Sequence, residues 1–347
     1  MTIASLLLSL LACASPAQTP PDILIVVLDD IGHLDMQGLS TPNLDALAAG
    51  GVTFTRCYSN PTCQPSRRAM LTGHWWTSNS GVPCAAADSL TPVSGERFIP
   101  ERLTGHTSAL FGKWHLGGHA LGGSWERAPQ AQGFDYWSAG TPANLFNTPC
   151  GSTGYNSWVR VDAWASSVST AYQADELRDS FVVSWPLVSS PKFAVVSLAL
   201  AHLPYHIPPG YPSGLTQLQK YQAMIQEADA NLGALLAVVD LEEALVIVVG
   251  DNGTPPQFAA RAKGTTYERG VRVPLVIAGA GVTASGTSDE LVHVVDIYAT
   301  AIAAGGGTVS GGPYAYASRD LAPILTGSSW TPREHVICGD RWGMAGE

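Results

Sequence analysis

Oxygen-bearing side chains follow two segments of the chain that have the composition of buried strands. Asp29-Asp30 follows the apolar residues 23–28, and Asp251-Asn252 follows the similar residues 244–249. An aspartate at a strand end often only caps a turn, and for either pair alone that interpretation would be preferred. The carboxyl ends of parallel strands meet at one edge of a sheet, however, and oxygen ligands suit Ca²⁺ or Mg²⁺. The two pairs together therefore predict a metal site.

Cys63 lies in the segment Cys-Gln-Pro-Ser-Arg, directly before a predicted helix. We expect that helix at residues 65–71, with Gly73 ending it. The dipole and free N–H groups of a helix N-terminus favour an anion, and an unmodified cysteine there could be a thiolate with a low pKa. An ordinary cysteine before a helix that starts with proline is the other interpretation. The pattern C-x-P-S-R followed by a helix and Leu-Thr-Gly is much more specific than either.

Predicted strands and helices alternate along most of the chain and would position these residues. The strands are expected at residues 23–28, 52–58, 108–111, 193–200, 244–249 and 273–278. The other helices are expected at residues 42–49, with Thr41 as N-cap, and at 215–239 and 291–304. Such alternation predicts an α/β fold with a mostly parallel central sheet and helices on both faces. The site of such a sheet lies beyond the carboxyl ends of the strands.

Six blocks of the sequence, in order, resemble the type I sulfatase family, which belongs to the alkaline-phosphatase-like superfold. The blocks are PDILIVVLDDIG, TPNLDALAAGGVTFTRCYSNPTCQPSRRAMLTG, GKWHLG, ALAHLPYHIP, GDNG and KGTTYERGVRVPLVIAG. The resemblance extends from about Asp22 to about Trp342. It implies the activity of a sulfuric ester hydrolase that cleaves a carbohydrate or aryl sulfate.

The resemblance also implies a cofactor made from the chain itself. Cys63 would be oxidised to formylglycine (3-oxoalanine) by a formylglycine-generating or radical maturation enzyme. One hydroxyl of the aldehyde hydrate would attack sulfur, and the other would later expel sulfate. A divalent metal, Ca²⁺ or possibly Mg²⁺ by the same resemblance, would be bound by five residues, which are Asp29, Asp30, the modified Cys63, Asp251 and Asn252.

Further basic residues of the matching blocks receive roles from the resemblance. Arg67 would hold the modified side chain and balance its charge. Lys113 would bind a sulfate oxygen, and His115 would handle the hydroxyl proton. Residues two apart in an extended segment share a face, which agrees with this pair. His202 and Lys263 would contact sulfate and protonate the leaving oxygen, with His206 as a competitor for that role.

Two departures from the family pattern and two other hypotheses accompany this interpretation. Arg269 stands where the family commonly has glycine, and the chain ends at Glu347, before the usual smaller antiparallel subdomain. We therefore expect a sulfatase α/β domain at residues 22–347 with a truncated C-terminus. The alternatives are a phosphonate or phosphodiester hydrolase of the same superfold, and an inactive protein that binds sulfated glycans.

Composition and the N-terminus constrain partners and location. The net charge of −10 and the lack of a Lys/Arg-rich run argue against nucleic acid as a partner. Residues 1–17 have the pattern of a signal peptide, which predicts a secreted or periplasmic protein. A lipoprotein anchor at Cys13 is the alternative. Four further cysteines, Cys57, Cys84, Cys150 and Cys338, could form disulfides or be small buried apolar residues.

Overall fold

The computed structural model describes residues 19–75, 96–117, 125–146, 152–310 and 317–339. The expected signal peptide, Cys13, Cys84 and Cys150 lie outside these residues. Cys57 and Cys338 are free thiols, the first buried and the second half-buried. A search of the described residues finds no helix with the length and hydropathy needed to cross a membrane.

Ten of the described strands form one central sheet. In chain order the strands are β1 (Asp22–Leu28), β2 (Gly51–Phe54), β3 (Cys57–Tyr58), β4 (Thr107–Lys113), β5 (Tyr136–Thr141), β6 (Trp158–Asp162), β7 (Ala165–Ser169), β8 (Lys192–Leu198), β9 (Ala244–Gly250), β10 (Leu275–Gly279), β11 (Gly286–Ser288) and β12 (Val292–His293). The sheet order is β11-β2-β10-β9-β1-β8-β4-β5-β6-β7, and β3 pairs with β12 separately. The middle five strands, β9-β1-β8-β4-β5, are parallel. The predicted mostly parallel sheet is confirmed.

Helices cover both faces of this sheet. They are α1 (Pro42–Ala49), α2 (Cys63–Thr72), α3 (Ile99–Arg102), α4 (Gln173–Ser184), α5 (Gln217–Leu236), α6 (Glu268–Val271), α7 (Asp296–Ala304) and α8 (Ala322–Leu325). Side chains of β1 alternate between the faces. Ile23, Ile25 and Val27 pack with residues of α2 and α7, whereas Leu24 and Val26 pack with those of α1, α4 and α5. Burial on both faces explains the uninterrupted apolar run of this strand.

Two predicted elements are each divided in the structure. Residues 52–58 are not one strand, because β2 joins the central sheet and β3 pairs with β12. The predicted helix 291–304 begins as β12, and α7 starts only at Asp296. The β-branched residues before it form a strand because the N–H groups of Val292 and Val294 donate to carbonyls of the β3 region at 3.1 and 2.8 Å. The expected strand 273–278 is present as β10, but it is antiparallel to β9.

The start of α1 differs from the sequence expectation in its capping. Thr41 occupies the N-cap position, but its side chain does not cap the helix. The carboxylate of Asp229 in α5 accepts instead from the N–H groups of Asn43 and Leu44, at 3.1 and 2.8 Å. A negative charge at the helix N-terminus is favourable, so this contact stabilises α1 and fixes it against α5.

Candidate active site

Four adjacent strands end at one edge of the sheet and deliver the polar residues of the site. Asp29-Asp30 follows β1 and Asp251-Asn252 follows β9, while His202 lies after β8 and Lys113 ends β4. All of these side chains are buried. Strands distant in sequence thus converge at the edge where the sequence pattern placed the site.

Two of the site residues have an unusual backbone conformation. Asp30 has φ of 62° and His115 has φ of 58°, which is the left-handed region that non-glycine residues seldom adopt. The N–H of Asp30 donates to Asp251 Oδ1 at 3.3 Å, and the N–H of His115 donates to the carbonyl of Pro142 at 2.9 Å. Strain held in place by neighbouring contacts is common at functional sites.

Cys63 is the first residue of α2 and is only 5% exposed. Its Sγ lies 3.2 Å from His115 Nδ1. Burial raises the pKa of the Cys63 thiol, and the nearby Lys113 and Lys263 do not fully offset it. The unmodified side chain is therefore a neutral thiol at neutral pH, not the low-pKa thiolate that its helix position alone would favour.

Arg67 lies one helical turn after Cys63 and connects the strand ends through its guanidinium. Nε and Nη2 both lie 2.9 Å from Asp251 Oδ2. Nη1 donates to the carbonyl of Lys113 at 3.1 Å and to Ser197 Oγ at 2.5 Å. A planar cation with several donors is suited to such a position. No direct contact between Arg67 and the Cys63 side chain is among these bonds, so any hold on a modified side chain remains a prediction.

Lys113, Lys263 and His202 surround the carboxylates of Asp29-Asp30. The ammonium of Lys113 donates to Asp29 Oδ2, and that of Lys263 donates to Asp30 Oδ1. Burial alone would raise the pKa of Asp29, but the surrounding cations lower it well below its usual range. His202 Nε2 is 3.7 Å from Asp30 Oδ2, and its Nδ1 is 2.9 Å from the carbonyl of Leu203. Burial lowers the pKa of His202 to about 4, although Asp30 opposes this shift.

The donor set fits a divalent cation. Asp29 Oδ1 and Asn252 Oδ1 are buried and have no hydrogen-bond donor among the described residues. One ligand atom each of Asp29, Cys63 and Asp251 lie within 4.8 Å of one another, as do those of Asp29, Asp30 and His202. Unpaired buried carboxylate and amide oxygens are costly without a partner and are the ligands that Ca²⁺ and Mg²⁺ prefer.

The charges of the side chains in the site balance in pairs. Asp29 and Asp30 face ammonium groups, and Asp251 faces the guanidinium of Arg67. Burial and the neighbouring Asp29 raise the pKa of Asp251. Buried carboxylates are costly unless they are paired, so these ion pairs reduce the cost of burying the three carboxylates.

His206 lies outside this group, although the sequence left it in competition with His202. Its Nε2 is 2.9 Å from the Tyr172 hydroxyl, and its ring lies 4.2 Å from that of Tyr155. Tyr155 also hydrogen-bonds the carbonyl of His202 at 2.8 Å. His206 thus belongs to the aromatic support behind the site.

Several supporting residues could not be recognised from the motifs. Asp35 accepts from the N–H of Gly32 at 2.7 Å, the Tyr221 hydroxyl at 2.8 Å and Thr254 Oγ1 at 2.9 Å. The Tyr221 hydroxyl oxygen is also 2.8 Å from the carbonyl oxygen of Asp30, so its one proton serves both acceptors. These bonds join the two loops that carry the acidic pairs. Arg269, the departure from the family pattern, lies 3.9 Å from Asp35. The sequence signal that could have identified Asp35 as a supporting residue is its acidic type only five residues after Asp30.

Solved structures share the fold of this chain. The chain is similar to the PsFucS1 sulfatase from Pseudoalteromonas sp., with a TM-score of 0.75 and 24% identity over 92% of this chain and 74% of that one. It is also similar to the phosphonate monoester hydrolase of Agrobacterium radiobacter, with a TM-score of 0.67 and 19% identity over 89% of this chain and 78% of that one. The fold is therefore the alkaline-phosphatase-like fold.

Sequence comparison identifies the family within this class. The family model described as Sulfatase matches residues 21–307. N-acetylgalactosamine-6-sulfatase of Homo sapiens is 30% identical over 84% of this chain. The chain belongs to the sulfatase family, as its motifs predicted. It spans 63% of the length of that human relative.

Proposed function

We propose that the protein hydrolyses sulfate esters of carbohydrates or aryl alcohols, with Cys63 converted to formylglycine as the nucleophile. One observation carries this proposal: Cys63 Sγ lies within 4.8 Å of carboxylate oxygens of Asp29 and Asp251. The same atom is 3.2 Å from His115 Nδ1. A side chain at this point can be activated from two sides, in a chain whose family is that of sulfatases.

A divalent cation, Ca²⁺ or Mg²⁺, belongs to the proposal. Its ligands would be the side chain at position 63 and the acidic pairs Asp29-Asp30 and Asp251-Asn252. When bound, such an ion would neutralise sulfate oxygens and favour the ionised form of a hydroxyl. The unpaired oxygens of Asp29 and Asn252 support this assignment.

The proton movements are assigned to two histidines. Burial, Lys113 and Arg67 hold the pKa of His115 well below its ordinary value, so the imidazole is neutral and Nδ1 can accept the hydroxyl proton of side chain 63. His202 is also neutral without substrate. An anionic ester would raise its pKa and allow Nε2 to carry the proton to the leaving oxygen. Lys113 and Lys263 would hold the sulfate oxygens.

An exported location and a maturation enzyme are part of the proposal. The apolar residues 3–12 and the small residues that follow support a signal peptide at 1–17.

Formylglycine requires an oxidising partner, either a formylglycine-generating enzyme or a radical enzyme. Trypsin digestion of natively expressed protein should yield the peptide Cys57 to Arg67 with an aldehyde at position 63. Detection of only the thiol at position 63 would contradict the proposal that this residue becomes the formylglycine nucleophile.

The Cys63→Ala variant tests the role of this residue in turnover. We expect it to lose sulfate-ester hydrolysis by at least about a hundredfold, because the covalent step has no nucleophile, while its thermal unfolding midpoint stays close to that of the wild type. Cys57→Ala is the matched control, since Cys57 is also buried but lies in β3. Wild-type activity of Cys63→Ala would contradict the mechanism.

Two other functions make different predictions in the same assays. The similarity to a phosphonate monoester hydrolase makes phosphonate cleavage the second candidate, and it predicts faster turnover of an aryl phosphonate monoester than of 4-nitrophenyl sulfate. The third candidate is a protein that only binds sulfated glycans. In that case, protein that carries the aldehyde should bind the sulfated sugar but not hydrolyse it.

A further inference from the structure

The loop after β5 brings an aromatic ring to the same edge of the sheet as the site. It begins at Thr141, whose carbonyl accepts from the N–H of Trp114 at 3.0 Å, and Pro142 accepts from His115 at 2.9 Å. The loop is thereby fixed against the Lys113–His115 segment. Phe146 lies in this loop, five residues after Thr141. Nothing in the motifs assigns Phe146 a role.

Phe146 stacks on the imidazole of His202. The ring centroids are 5.6 Å apart and the rings are nearly parallel, with an interplanar angle of 13°. His202 itself is buried, whereas Phe146 is 41% exposed. One exposed phenylalanine is ordinary on a protein surface. A ring that covers a buried histidine of the site and keeps a free portion in solvent is a more specific arrangement.

Polar groups also lie near the acidic pair that His202 approaches. Tyr205 follows His202 by three residues, and its hydroxyl is 3.4 Å from Gln257 Oε1 in a solvent-exposed hydrogen bond. Burial and the negative charges of Asp30 and Asp29 raise the pKa of Tyr205, against the opposing effect of Lys263. The phenol is therefore neutral and close to the site, where it can donate or accept a hydrogen bond.

A flat apolar ring on His202, with hydroxyl and amide groups near the same acidic pair, matches the two surfaces of a sugar. A pyranose presents a C–H face that packs on an aromatic ring, and hydroxyls at its edge that need polar partners. An aryl alcohol has the flat face but few edge hydroxyls. A small aliphatic alcohol has neither surface.

We propose that Phe146 is the platform for the sugar ring of the leaving alcohol, so that the substrate class is a sulfated pyranose. This inference rests on the proposed sulfatase function, because it assigns His202 to the leaving oxygen. Tyr205 and Gln257 would contact hydroxyls of the same sugar. Phe146 is thus a specificity-determining residue outside the sulfate-binding group.

The test compares ligands that do and do not reach the platform. The probes are monosulfated hexoses and N-acetylhexosamines, 4-nitrophenyl sulfate, and inorganic sulfate as a competitive inhibitor. We expect Phe146→Leu to raise KM for the best sugar sulfate by about tenfold, since it keeps an apolar side chain but removes the flat face. The inhibition constant of inorganic sulfate should change by less than about twofold, because inorganic sulfate has no sugar ring to pack on Phe146. Phe146→Tyr should retain the wild-type KM.

Binding to the Cys63→Ala protein provides a readout that does not depend on turnover. Calorimetric affinity for the same sugar sulfate should fall by about tenfold when Phe146→Leu is added. Equal weakening of inorganic sulfate would mean that Phe146 acts only by packing on His202, and would overturn the proposal. Turnover of 4-nitrophenyl sulfate with no turnover of any sugar sulfate would also overturn it while leaving the sulfatase function intact. If wild-type protein with the aldehyde hydrolyses neither kind of ester, the sulfatase function itself fails.

Discussion

Arg67 is the side chain on which the internal order of the site most depends. Its guanidinium bonds a carboxylate after β9, a carbonyl at the end of β4 and a hydroxyl within β8. Removal of one member of a buried ion pair leaves an uncompensated charge in a medium of low dielectric constant. The same residue therefore determines both the local geometry and a measurable part of the stability.

We predict that Arg67→Met lowers the free energy of unfolding by about 3–5 kcal/mol, measured by urea denaturation. The matched control is Arg97→Met, which removes an ion pair with Glu101 in which the arginine side chain is 56% exposed. That variant should lose less than about 1 kcal/mol, because exposed pairs contribute little. Equal losses in the two variants would show that Asp251 does not depend on Arg67.

The candidate site residues were recognisable from sequence when their type was unusual for their position. Acidic pairs directly after apolar strands are of this kind, and the family resemblance added the cysteine and the basic residues. Ser197 was not recognised, although it interrupts an apolar strand. Its role depends on the register of β8 beside Val27 and Gly112, and that register cannot be read from the local pattern.

Among the elements, the turn after β9 is built for close approach of two backbones. A Cβ placed on Gly253 would lie 2.1 Å from the carbonyl oxygen of Arg269 and 2.7 Å from the carbonyl carbon of Gly270. The N–H of Gly253 donates to the Gly270 carbonyl at 2.9 Å. Any side chain at this position must displace the turn that carries Asn252.

Gly253→Ala should therefore impair cation binding. We expect the thermal unfolding midpoint of the wild type to rise with added Ca²⁺ or Mg²⁺, as for any ligand that binds only the folded state. The variant should lose most of this rise and be destabilised by about 1–3 kcal/mol. In Gly50→Ala the nearest heavy atom is 3.8 Å from the new Cβ, so this control should keep the rise. A full response to the cation in Gly253→Ala would contradict the proposed ligand role of the turn.

Among the strands, the central parallel ones could be predicted from sequence, whereas the direction and pairing of β10 and β3 could not. Runs of β-branched residues identified β1, β8 and β9, because burial on both faces leaves no polar alternation. The antiparallel direction of β10 and the separate pairing of β3 depend on partners far away in sequence. Local patterns contain no information about such partners.

For the whole molecule, a buried histidine remote from the acidic pairs makes stability depend on pH. His293 is fully buried, and its Nδ1 accepts from the N–H of Val295 at 3.1 Å. Burial, together with the positive charge of Arg333, lowers the pKa of His293 to about 3. Above the ordinary histidine pKa this residue is neutral in both states and has no effect. As the pH falls below that value, only the unfolded chain takes up the proton, so stability decreases.

His293→Asn removes this titration while keeping an acceptor near the Nδ1 position. Between about pH 7 and about pH 5, the wild type should lose about 2 kcal/mol more unfolding free energy than the variant. Other histidines with lowered pKa values, such as His106 and His206, are present in both proteins, so the difference isolates His293. Parallel stability profiles for the two proteins would show that its protonation is not linked to folding.

If Cys63 is converted to formylglycine as proposed, its burial would impose an order of events during biosynthesis. The side chain is almost entirely buried at the start of α2. The active site of a modifying enzyme must surround the atom that it oxidises. A catalyst that installs an aldehyde at this position therefore has to engage the segment while it is still extended, before the strands assemble around it. Chains that complete folding first would keep the unmodified thiol at position 63. The active fraction of any preparation would therefore depend on the relative rates of oxidation and folding.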